Sequence, residues 1–185
     1  MPVGRQPTQV RVGPGTLYIA PVGTVEPTDL VTALNVAWLD LGYTAEGHTF
    51  TASPSFDPVE VAEEVDPVSY EMTGREMKVE FALAQITAKR LSYAMNGGTL
   101  TVAGAVVTFD PPVPGTETRV ALLWESLDKK ERWVWRKCLQ AGDVEIARRK
   151  APDNATIPCS FMCEIVAGGL KPFKAIFDNT VLGDA

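Results

Sequence analysis

The dominant periodicity along the chain is two rather than 3.6, as in strands whose side chains alternate between two faces. Residues 78–84 show it most cleanly: Val79, Phe81 and Leu83 point one way, and Lys78, Glu80, Ala82 and Ala84 the other. Residues 8–12 alternate until Gly13-Pro14-Gly15 turns the chain, and 16–20 read as a short strand ending at Pro21. Residues 22–29 read as a loop, and the apolar segment 36–43 as a strand running into Gly42. Residues 47–53 alternate, with His48, Phe50 and Ala52 on one face. Further short strands are predicted over 99–103, 105–110, 119–124, 132–139, 143–148, 156–166 and 172–178. Proline- and glycine-bearing breaks such as Pro111-Pro112, Pro114-Gly115 and Gly168-Gly169 separate them. Many short strands with turn signals between them predict a mainly β fold, a sandwich or barrel.

One helix is predicted, over 88–96. Thr87 is its N-cap. Ile86 and Leu91 are spaced as a hydrophobic staple. Leu91, Ala94 and Met95 form an apolar stripe, so the helix is expected to pack on a sheet through Leu91 and Met95. Asn96-Gly97-Gly98 stops it, because glycine adopts the left-handed C-cap conformation without steric cost.

Residues 54–66 behave differently. Val59, Val61 and Val65 share one face and Glu60, Ala62 and Glu64 the other, but Glu63 interrupts the apolar face. Pro54, Pro58 and Pro67 each lack a backbone donor, which excludes a central sheet position. The region 47–80 therefore reads as an extended, partly exposed hairpin or arm; a mobile loop is the plainer alternative. Residues 1–15, with Pro2, Pro7 and Pro14, read as an N-terminal arm, and Leu182-Gly183-Asp184-Ala185 as a frayed end. With 185 residues and 45% apolar composition, the chain is expected to form one domain, 1–185, with a real core. No run approaches the roughly 18 apolar residues of a membrane helix. The start shows no apolar secretory segment, so folding in a cytoplasm and no membrane anchor are expected.

Charge is unevenly placed. Residues 56–71 hold Asp57, Glu60, Glu63, Glu64, Asp66 and Glu71 and no base. Residues 129–150 reverse the balance, with Lys129, Lys130, Arg132, Arg136, Lys137, Arg148, Arg149 and Lys150. Two solvated faces would account for this. The sharper expectation is that an acidic patch on one copy meets a basic patch on the next, a heterologous contact that builds rings and open stacks. The net charge of −6 opposes wrapping DNA through its phosphates. Trp133 and Trp135 share one strand face and read as core or interface rather than as a base-stacking platform.

No chemistry of catalysis is legible. The single histidine, His48, reads as an ordinary strand residue and removes most triads and histidine-based metal sites. The three cysteines, Cys138, Cys159 and Cys163, have no framework spacing. Cys159 and Cys163 fall on one strand face and read as small core hydrophobes. Neither a nucleophile elbow nor a phosphate or dinucleotide loop is present, so no catalytic, cofactor or metal residue is expected.

The order of the pieces resembles the major tail tube proteins of long-tailed, siphophage-type bacteriophages, particularly those of actinobacteria. The residues that carry the resemblance begin with Gly15-Thr16-Leu17-Tyr18-Ile19-Ala20-Pro21-Val22-Gly23-Thr24 and Trp38-Leu39-Asp40-Leu41-Gly42-Tyr43-Thr44-Ala45-Glu46-Gly47. They continue with Phe56-Asp57-Pro58-Val59-Glu60-Val61, Val79-Glu80-Phe81-Ala82-Leu83-Ala84-Gln85-Ile86-Thr87 and Asn154-Ala155-Thr156-Ile157-Pro158-Cys159-Ser160-Phe161. The resemblance implies a sandwich-like subunit with one helix and extended arms. It implies hexameric rings whose inner strands close a barrel, stacked into the tube through which the genome passes without specific binding. Partners would be further copies of the chain and tail proteins such as the tape measure, tail tip and terminator, assembled in the host cytoplasm and carried on the virion tail. Glu60, Glu63, Glu64 and Asp66 would then serve either the lumen or ring-to-ring contact with the stretch that ends Arg148, Arg149 and Lys150. A β-sandwich binding or virion decoration module, and the tube protein of a contractile secretion machine, are the competing readings.

Overall fold

The computed structural model describes residues 10, 11, 13–148, 150 and 153–180. Of the expected strand at 8–12 only residues 10 and 11 are described, and they are not strand; most of the arm 1–15 and the end 182–185 lie outside the described residues. The described strands are β1 (Gly15–Pro21), β2 (Leu39–Asp40), β3 (Thr44–Val59), β4 (Ser69–Leu83), β5 (Thr99–Ala103), β6 (Val106–Asp110), β7 (Val120–Ser126), β8 (Glu131–Gln140), β9 (Ile157–Cys163) and β10 (Phe173–Phe177). Helix α1 (Ala88–Ala94) follows β4.

One antiparallel sheet runs β2-β1-β7-β8-β9-β4-β3, with β10 added beside β8. Strand β8 is where it divides. Its residues 131–135 pair with β10, and 138–140 pair with β9 on that same side, while β7 lies along the other. The β9-β4-β3 wing then curls back over the body. Phe50 of β3 packs on Trp133 of β8 and Phe173 of β10, with ring centroids 5.8 and 5.1 Å away. Leu17, Ile19, Val79, Phe81, Leu122, Trp135, Ile157 and Phe161 fill the space between, and the alternation of Val79, Phe81 and Leu83 is an alternation of burial.

The opposite face of β1, β7 and β8 is buried as well, under the loop 22–38. Trp38 and Leu34 cover Ala20, Ala121, Leu123 and Val134. The loop is held by polar anchors: the Trp38 indole donates to the Val25 carbonyl at 3.0 Å, and Arg132 donates to the carbonyls of Asp29 and Thr32. Arg132 is only 1% exposed and is neutralised by Glu125, at 2.5–2.6 Å. Two buried faces explain why β1 and β7 read as nearly unbroken apolar runs.

Three expectations need correction. The segment 36–43 contributes only Leu39–Asp40 as strand, because Trp38 is spent on covering the sheet. Residues 143–148 are not a strand: Val144 and Ile146 alternate and pack on the core, but among the described residues no neighbouring backbone pairs with them. Helix α1 starts at its Thr87 cap, where the side chain accepts from Arg90 N at 3.2 Å, but it buries Ser92 and Ala94 rather than Leu91 and Met95. Met95 is 37% exposed. Polar ties set this rotation: Arg90 donates to the Leu41 carbonyl, and the Asn96 amide bridges both backbone groups of Gln140. The helix stops as expected, with Asn96 and Gly97 at φ of 57° and 119°.

Candidate assembly surface

Strands β3 and β4 are 16 and 15 residues long, far longer than the sheet that seats them. Strand β9 pairs with β4 only over residues 78–83. Beyond that, 52–59 and 69–77 run on as a two-stranded ribbon, roughly 25–30 Å long at about 3.3 Å per residue. A two-stranded ribbon is marginal in water by itself.

The ribbon has two unlike faces, fixed by register. Residues opposite each other share a face. His48 lies opposite Phe81, Phe50 opposite Val79 and Ala52 opposite Met77, all on the core side. The same side continues outward as Pro54 opposite Arg75, Phe56 opposite Met72 and Pro58 opposite Tyr70. A bulge at Thr73 keeps the apolar residues of β4 on that side after the interruption by Arg75. Phe56, Tyr70 and Met72 are 52%, 65% and 56% exposed, so the core-lining face runs on into water.

The other face is acidic. Asp57 stands directly opposite Glu71, and Glu76 and Glu80 follow toward the root with Lys78 between them. Glu60, Glu63, Glu64 and Asp66 lie in the exposed turn 60–68 at the far end. Among the described residues none of these four is in an ion pair.

Strand β3 ends the sheet, so its outer edge faces no strand of this chain among the described residues. The Val59 carbonyl accepts from Val68 N, so odd-numbered groups of β3 turn toward β4 and even-numbered ones outward. Pro54 and Pro58 thus cost no ladder bond, which is why two prolines are tolerated in so long a strand. They leave His48, Phe50 and Ala52 with outward-facing N–H groups on a proline-free stretch of edge. A second projection, the β5–β6 hairpin, stands against α1 at its base and exposes Val102 and Val107, which lie opposite each other near its tip.

The basic stretch divides in two. Its first part works inside the subunit. Lys130 pairs with Asp178, Arg132 with Glu125, Arg136 with Glu26 through two bonds of 2.5 and 2.9 Å, and Lys137 with Glu164 at 2.7 Å. Arg136 also donates to the Lys171 and Phe173 carbonyls, clamping the chain that leads into β10. The expectation of one continuous cationic patch over 129–150 is corrected accordingly. Arg148 and Lys150 remain exposed, and Arg149 lies outside the described residues. Sequence reasoning did not single out Phe56, Tyr70 and Met72 as a surface; the exposed alternation past Pro54 was the available signal.

His48 and Cys159 are packed into the subunit's interior. His48 packs against Trp124 and Trp135, and burial holds its imidazole below the usual value, favouring the neutral ring. Cys159 is 4% exposed, and burial pushes its thiol up to about 12. Among the described residues no cluster of three or more His, Cys, Asp or Glu could hold a metal ion, and no helix is long and apolar enough to cross a membrane.

A family model described as phage tail tube protein matches residues 3–159. No curated protein matches the chain.

Proposed function

The chain belongs to the phage tail tube protein family, and on that premise we propose that it builds the tube by closing into hexameric rings that stack through the β3–β4 ribbon. Membership makes it a structural protein of the virion tail that assembles with itself and with other tail components. The finer reading is that the whole chain, 1–185, acts as one tube unit. It has no catalytic duty, forms the conduit for the genome, and meets tape measure, tail tip and terminator proteins at the ends of the tube.

The observation that carries this reading is the apolar face formed by Phe56, Pro58, Tyr70 and Met72, which projects beyond its own sheet. A lone subunit keeps that face wet and its ribbon marginal; a neighbouring copy removes both costs. The proline-free edge of β3 supports ring closure in the same way, since pairing with another subunit satisfies its outward N–H groups. The acidic face with Asp57 and Glu71 suits a lumen that DNA must pass without sticking. The turn acids Glu60, Glu63, Glu64 and Asp66 suit the next ring's Arg148, Arg149 and Lys150, which are of opposite sign and of which Arg148 and Lys150 are exposed.

Electron microscopy of purified protein over a concentration series tests this. Wild-type protein should give rings or hollow tubes of constant width. Phe56→Ser with Met72→Ser should stay monomeric while keeping wild-type circular dichroism. Tubes from the double variant would exclude the ribbon as the stacking element. A wild-type monomer at every concentration, even with a tail-tip initiator, would move the reading toward a decoration module.

A further inference from the structure

Strands β8 and β9 share only three register pairs, Cys138 with Cys163, Leu139 with Met162 and Gln140 with Phe161. That short ladder is the joint between the sheet's body and the wing that carries the ribbon. Its first pair is two cysteines. Glu164 N donates to the Lys137 carbonyl at 2.8 Å and Ala141 N to the Ser160 carbonyl at 2.9 Å, so the hydrogen-bonded pairs are 137 with 164 and 141 with 160. Cys138 and Cys163 therefore form a non-hydrogen-bonded pair, the arrangement that brings side chains closest, with Cα atoms about 4.5 Å apart. That spacing lies inside the roughly 4.4–6.8 Å that a disulfide spans. The two sulfurs are in contact at 3.7 Å.

We propose that Cys138 and Cys163 are a disulfide-forming pair, reduced during synthesis and oxidised once the tail leaves the cell with the virion. The timing rests on family membership; the pairing rests on geometry alone. Virions pass into surroundings where disulfides persist. The co-reactant is a low-molecular-weight disulfide. Cys163 is the attacking group, because it is the less buried of the two and its contact with Cys138 holds its thiol below the usual value. The Cys163 thiolate attacks one sulfur of the small disulfide, whose S–S bond breaks and releases one thiolate. Cys138 then gives up its proton and attacks Cys163 Sγ, expelling the second small thiolate. Two protein thiols lose two electrons and two protons in all, and one small disulfide becomes two thiols. Cys159 stays out: it lies opposite Phe81, faces no cysteine and is buried.

The bond would fasten the wing to the body at its narrowest joint, closing a loop between residues 25 apart. The test uses purified full-length protein, first reduced and then incubated with glutathione disulfide. Denatured thiol titration should fall from the three cysteines of the sequence to one. Intact mass should drop by about 2 Da, the two hydrogens lost on S–S formation, and peptide mapping should join 138 to 163. The melting midpoint should rise by roughly 5–10 °C, and dithiothreitol should reverse all of it. Cys163→Ser should keep two thiols and show no rise. Three thiols after oxidation, a lasting glutathione adduct, or a link through Cys159 or between chains would overturn the proposal. None of these readouts depends on whether tubes form, so failure here is separable from failure of the assembly reading.

Discussion

Asp57 and Glu71 stand opposite each other across the outer β3–β4 ribbon, two acids on one face of it. Directly opposed like charges destabilise a strand pair, and this ribbon has little stability to lose. The arrangement is costly for the subunit and makes sense as a surface turned toward a polyanion. Glu71→Lys should relieve the repulsion and leave tube formation intact. The variant tubes should then retain DNA in a salt-sensitive way in gel retardation, whereas wild-type tubes should not. Variant tubes that ignore DNA would remove the acidic face from the lumen.

Ring-to-ring contact predicts charge exchange. Glu63→Lys with Glu64→Lys, and separately Arg148→Glu with Arg149→Glu, should each raise the protein concentration needed for tubes. About 1 kcal/mol per subunit, the scale of exposed ion pairs, gives roughly a fivefold rise. Combining the four changes should restore assembly, as followed by turbidity and microscopy. If either pair alone assembles at the wild-type concentration, its residues do not make the contact.

Arg132→Met tests the internal use of the basic stretch. The change strands the buried Glu125 carboxylate and frees the carbonyls of Asp29 and Thr32. Breaking one partner from a buried pair costs about 3–5 kcal/mol. Urea unfolding should show that loss, while Lys129→Met, on an exposed turn, should stay within about 0.5 kcal/mol of wild type.

Acid should act at two places, in different pH windows. The His48 imidazole is held below the usual value by burial among tryptophans. Its contribution is complete above about pH 6.5, where both states are neutral, and is lost as pH falls, because the unfolded chain takes the proton first. Thermal melts should therefore decline between pH 7 and 5 with a slope of at most about 1.4 kcal/mol per pH unit, and His48→Phe should flatten that segment. The Asp178 carboxyl is held down to about 2 by Lys130 and Thr180. Its clamp is in force above about pH 4, the unfolded carboxyl's range, and is lost as pH falls toward 2. Asp178→Asn should remove that low-pH segment alone.

Much of the strand frame was legible because alternation coincides with burial at residues such as Val79, Phe81 and Leu83. Alternation alone does not supply a backbone neighbour, which is how Val144 and Ile146 mimic a strand. The helix was legible through Thr87 and Asn96-Gly97-Gly98, but its rotation depends on Arg90 and Asn96 reaching distant carbonyls. Of the candidate site, the acids at 57–71 were visible as a run. The cations at 130–137 were visible too, but their partners Asp178, Glu125, Glu26 and Glu164 lie in other strands and loops, and local sequence carries no trace of such pairing. The apolar outer face depends on the bulge at Thr73, a register event that composition does not announce.

The order in which the sheet is threaded also sets a schedule for synthesis. The β3–β4 hairpin pairs neighbours in sequence and can form as soon as residue 83 has emerged. Its seat, β9, begins at residue 157, and β1 waits for β7 at residue 120. A growing chain thus displays its exposed apolar ribbon before it has a body to mount it on, the kind of edge that misassembles. Acids at the turn and prolines along the edge are the residue types that disfavour pairing between such early ribbons on neighbouring chains.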